Sequence, residues 1–103
     1  MKKRVAKTTV GLQRLRTRMD RLDRQLADLL LKRLALSLSI LAEKSTLGRS
    51  AHDPRREREV TKQLVADLNP SGASARFIDH VYREIFRQSV AAAKIQRDAD
   101  NRS

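Results

Sequence analysis

The chain has no cysteine and no tryptophan, one tyrosine, two phenylalanines, two prolines and three glycines. Without cysteine there is no disulfide, no thiolate nucleophile and no thiolate metal ligand, and a reducing, cytoplasmic setting is expected. Three aromatic rings offer little on which nucleic acid bases could stack. The two histidines stand in no metal-ligand spacing, and no Ser-His-Asp set is evident. Long hydrophobic runs are also missing. The most apolar window, LADLLLKRLALSLSILA, is interrupted by Lys32 and Arg33, and the N-terminal MKKRVAKTTVG has charge with no apolar stretch behind it. Neither a membrane span nor a signal peptide is expected.

Negative charge is scarce. Twelve Asp and Glu stand against 23 Lys and Arg, a net charge of +11 on 103 residues, enough chain for one small domain. Such a balance suggests an anionic partner, either nucleic acid or a small polyanion. The charge is spread rather than clustered. Arg14, Arg16, Arg18, Arg21, Arg24, Lys32 and Arg33 alternate with Asp20, Asp23 and Asp28, which reads mainly as a solvated helix surface and makes nucleic acid the weaker option.

What is present is helical periodicity. Leu15, Met19, Leu22, Leu26 and Leu29 step by four and three, and the stripe continues through Arg33, Leu36 and Ile40 to Lys44. The spacing predicts a first helix from Leu12 to Leu47, roughly 50 Å long at 1.5 Å per residue, ended by Gly48. Asp53-Pro54 reads as a cap and first turn of a second helix running to about Leu68. NPSGAS breaks that helix. A third helix is expected from about Ala75 to Gln96, with Phe77, Ile78, Val81, Tyr82, Ile85 and Phe86 as its buried side. The basic arm 1–10 and the polar tail 97–103 are expected to fray. The fold class is all-α, three helices per chain in one domain. A stripe of roughly 50 Å cannot be covered in a globule whose radius of gyration is about 13 Å. An intertwined homodimer, with the long helices packed on each other, is therefore expected.

Several charges fall on apolar stripes. Arg33 and Lys44 are eleven residues apart on the first helix and share a face to within about 20°. Glu57 heads the stripe Val60, Leu64, Leu68 of the second helix, with Arg56 beside it, and Ser89 lies on the stripe of the third. Each admits a plain structural role. Arg33 could snorkel outward, Lys44 could be a last-turn cation, Arg56 could pair with Glu59, Arg16 with Asp20, and Ser89 could bond its own helix. Taken together they suggest a pocket. One acid, Glu57, does not balance three cations, and a ligand bearing carboxylates would.

The stretches LRTRMDRLDRQLADLLLKR, EK, HDPRRERE and FIDHVYREIFRQSV resemble the all-α chorismate mutase family from about Leu12 to Lys94. The resemblance implies an interlaced dimer with two equivalent pockets and isomerisation of chorismate to prephenate, a pericyclic step needing no nucleophile, metal or cofactor. It implies that Arg33, with Arg16 of the second copy, clamps the carboxylates, and that Lys44 donates to the ether oxygen and a carboxylate. Glu57 and the Asp53 backbone would hold the ring hydroxyl, Ser89 would assist a carboxylate, and Arg56 would line the pocket. Many members carry Gln where this chain has Ala93. Some short members that lack it resemble weak catalysts stimulated by another enzyme of the pathway. Others act on the 4-amino analogue of chorismate or on isochorismate. The reading from another class is a non-catalytic basic helical dimer that binds nucleic acid or protein.

Overall fold

A computed structural model of the protein describes residues 2–102, with side chains described over 9–102. It has three helices and, among the described residues, no strand: α1 (Lys2–Thr46), α2 (Pro54–Leu68) and α3 (Gly72–Arg102). The chain divides into two units, Met1–Ala35 and Leu36–Ser103. The first contains most of α1. The second contains the end of α1, then α2 and α3, with α2 packed on α3.

The helix ends follow local chemistry. Gly48 adopts a φ of +70°, a region open to glycine at little cost. Its N–H donates to the Ser45 carbonyl at 3.1 Å, and the Arg49 N–H donates to the Lys44 carbonyl at 2.8 Å. This double closure satisfies carbonyls that the end of a helix leaves free. At the start of α2 the Asp53 carboxylate accepts the Arg56 N–H at 3.2 Å, with Pro in the first turn. At its end Asn69 turns left-handed and donates its N–H to the Val65 carbonyl.

Three boundaries differ from the sequence-based expectation. α1 begins at Lys2 rather than Leu12, because a single interior Gly11 costs a helix only about 1 kcal/mol and no proline precedes it. The basic arm is thus helical in backbone, while the side chains of MKKR lie outside those described. α3 begins at Gly72 rather than Ala75, since the Ser71 carbonyl already accepts the Ala75 N–H at 2.8 Å. It continues past Gln96 to Arg102, through the polar segment expected to fray, and the Gln96 amide donates to Asp100 one turn on.

Burial also differs. Ile78, Tyr82, Ile85 and Phe86 of α3 are half-buried, and the Tyr82 and Phe86 rings meet edge to face at 5.9 Å. Phe77 and Val81, expected on the buried side, are exposed, and so is Leu68 of α2. The short α2 covers only one stripe of α3. Among the described residues no large apolar side chain is fully buried, and Thr61 and Ser89 are the buried ones. Leu15, Met19, Leu22, Leu26, Leu29, Leu36 and Ile40 of α1 are each more than half exposed. Such a continuous apolar stripe is far beyond the scattered leucines normal on a surface.

The α2 cap yields a first prediction. The Arg56 N–H holds the Asp53 carboxyl below its ordinary pKa; desolvation opposes it, and the Lys44 ammonium adds to the lowering. A depressed folded pKa stabilises the fold above the usual Asp value of about 3.9, and that stabilisation is lost as pH falls through the lowered value. Asp53→Ala should lower the melting temperature at neutral pH, whereas Asp53→Asn should keep the cap, because Asn serves there as well as Asp. The melting temperature of Asp53→Asn should fall less than that of the parent on acidification. Parallel acid profiles for the two proteins would rule this account out.

Candidate active site

The second unit contains Lys44, Asp53, Arg56, Glu57, Ser89 and Ala93 of the expected residues, and the structure joins Lys44 to Asp53 directly. Lys44 lies in the last turn of α1, where cations are favoured. Its side chain is 21% exposed, and its Nζ meets the Asp53 carboxylate at 3.4 Å. The closure at Gly48 returns the chain so that the last turn of α1 faces the cap of α2. Asp53 thus serves two partners, with one oxygen on the Arg56 N–H and the other on Lys44.

One turn into α2, Glu57 is half-buried and lines a hollow of about 440 Å³ with His52, Arg83, Phe86, Arg87, Val90, Ala91 and Lys94. No ion pair or side-chain hydrogen bond engages its carboxylate among the described residues. Its backbone carbonyl accepts from Thr61 Oγ1 at 3.2 Å, which fixes this turn of the helix. A second hollow, of about 570 Å³, holds Ala93 between α3 and the end of α1, with Leu38, Leu41, Ser45 and Arg49 among its walls. His52, Val90 and Lys94 line both hollows.

Ser89 is only 7% exposed, and its hydroxyl donates to the Ile85 carbonyl at 2.8 Å, the local bond open to it from sequence. The oxygen keeps acceptor capacity, but the donor is engaged. Arg56 is not brought to the Glu57 hollow. It is exposed, 3.9 Å from Glu59, and lines a shallow groove on α2 with Val60, Lys62 and Gln63. Arg33 and Arg16 belong to the first unit, where Arg33 is half-buried and Arg16 exposed.

His52, Arg83, Arg87 and Lys94 were not among the residues expected at the site from sequence. His52 adjoins the cap and could have been inferred from that position. Lys94 follows Ala93 by about 100° on a regular helix, yet it borders the same hollow. A long flexible side chain spans that angular offset.

A protein-family model described as chorismate mutase type II matches residues 15–94. The chain belongs to this family. No curated relative and no solved structure matches it. The matched segment of this chorismate mutase family member contains every expected site residue, from Arg16 to Ala93. Among the described residues, no group of His, Cys, Asp or Glu is placed to hold a metal ion. No helix over the same residues is long and apolar enough to cross a membrane.

Proposed function

We propose that the protein is a cytoplasmic chorismate mutase that isomerises chorismate to prephenate, in two equivalent pockets of a homodimer. The observation that carries this reading is a half-buried Glu57 whose carboxylate is unengaged among the described residues, in a hollow bordered by Arg83, Arg87 and Lys94, with the Lys44–Asp53 pair one turn before Glu57 at the α2 cap. A half-buried ammonium can stabilise the negative charge that grows on the ether oxygen as its bond to carbon breaks. Glu57 can accept the ring hydroxyl's proton in a hydrogen bond. Arg33, with Arg16 of the second copy, would hold the two carboxylates and so keep a flexible substrate in its compact, reactive shape. Ser89 would donate to a carboxylate after giving up its bond to Ile85. The exposed stripe of α1 supports the dimer, because a second copy offers a matching apolar face of the same length.

The test is turnover of purified protein with chorismate, its 4-amino analogue and isochorismate, with products identified. Prephenate from chorismate is the expected result. Preference for the amino analogue, or pyruvate released from isochorismate, would move the activity to a relative of chorismate and leave the dicarboxylate pocket in place. No turnover of any of the three, with or without another enzyme of the pathway, would remove the catalytic reading.

A second reading has one observation in its favour. Arg14, Arg18 and Arg21 line a shallow groove along α1, and no carboxylate pairs with them among the described residues. A basic binding module built on this face would hold nucleic acid with an affinity that falls steeply with salt. Salt-insensitive behaviour, or no binding, excludes it.

A further inference from the structure

Three cations border the Glu57 hollow besides His52: Arg83, Arg87 and Lys94. Two of them are already satisfied on their own helix. Arg83 meets Asp79 at 3.0 Å, and Arg87 meets Glu84 at 2.7 Å. Lys94 has no carboxylate partner among the described residues. The floor between Lys94 and Glu57 is apolar, made by Phe86, Val90 and Ala91. An unengaged acceptor, an unengaged cation and an apolar floor between them form a complementary set. It fits a ring with a hydrogen-bond donor at one end and an anionic group at the other.

We propose that Lys94 is a substrate-binding residue of this pocket and that its ammonium receives one carboxylate of the dicarboxylate. This rests on the reading of the hollow as the mutase site. Lysine suits the position because its ammonium is a compact charge on a four-carbon stem, able to sweep both hollows that it borders. Lys94 is exposed, so holding it there costs little, and its interaction is realised when the ligand closes off water.

Lys94→Ala and Lys94→Arg separate this role from a structural one. With chorismate as the probe, both kcat/KM and calorimetric affinity are measured, together with the melting temperature. Losing a charged hydrogen bond should lower kcat/KM about tenfold to a hundredfold in Lys94→Ala. Lys94→Arg should recover most of it, and all three melting temperatures should agree, since the side chain is exposed and unpaired. Turnover by the parent with Lys94→Ala within twofold of it would overturn the proposal and leave the mutase reading intact. Binding of chorismate that depends on residue 94 without any turnover would uphold the proposal and remove the mutase reading. Absence of both binding and turnover would remove both.

Discussion

Replacing Lys44 with alanine should lower kcat about 10²- to 10³-fold, the usual effect of removing one donor from developing negative charge. KM should change much less. The ether oxygen of the ground state is a weak acceptor, and it becomes a strong one only as the bond to carbon lengthens. An interaction that strengthens on the way to the transition state appears in kcat rather than in KM. The geometry suits this task. Lys44 is the last-turn cation of α1, it is largely covered, and Asp53 holds its Nζ at 3.4 Å from a position that α2 itself fixes. Asp53→Asn should therefore also reduce kcat, by less, while preserving the α2 cap. The Lys44→Ala protein should melt close to the parent, because a partly exposed ion pair contributes little to stability. Steady-state kinetics with chorismate and a thermal melt decide the matter. A higher KM with kcat unchanged would show that Lys44 only binds, and a large fall in melting temperature would show that it only holds α1 to α2.

The second helix was readable almost to the residue, because Asp53, Pro54 and Asn69-Pro70 are strong local signals at both ends. Gly48 was readable for the same reason, since a left-handed closure needs glycine far more often than any other residue. Glu57 was readable from periodicity alone, and it is half-buried on the stripe of Val60 and Leu64. The ends of α1 and α3 were not. A lone Gly11 and a run of polar residues after Gln96 look like stops, yet neither removes a backbone donor as proline does. Arg56 shows a different limit. Its place one residue before Glu57 put it near the pocket in sequence, but a helix turns about 100° per residue, and that rotation carries it to the outer face beside Glu59. Lys94 shows the converse, for a backbone direction does not determine where a long side chain ends.

Two inactive variants should make an active protein. Arg16→Ala and Arg33→Ala chains, each severely impaired alone, should regain activity when mixed under conditions that allow subunits to exchange. The two side chains lie seventeen residues apart on α1, which on a regular helix separates them by roughly 25 Å and about 100°. One chain cannot bring both to a ligand the size of chorismate, so Arg16 has to come from a second copy. The apolar stripe that would hold that copy is exposed along the same helix, with Leu22 59% and Leu36 67% exposed. In a mixed dimer one pocket receives Arg33 from one chain and Arg16 from the other, both intact, and its twin receives neither. Random exchange of equal amounts makes half of the dimers mixed, so about a quarter of all pockets should work. Chorismate turnover before and after exchange measures this directly, and size-exclusion chromatography with light scattering reports whether the species are dimers. Dimers that exchange yet stay inactive would place Arg16 outside the pocket. Activity of the Arg16→Ala chain alone near that of the parent would do the same. A monomer at every concentration would require some other cover for the stripe and would remove the shared pocket altogether.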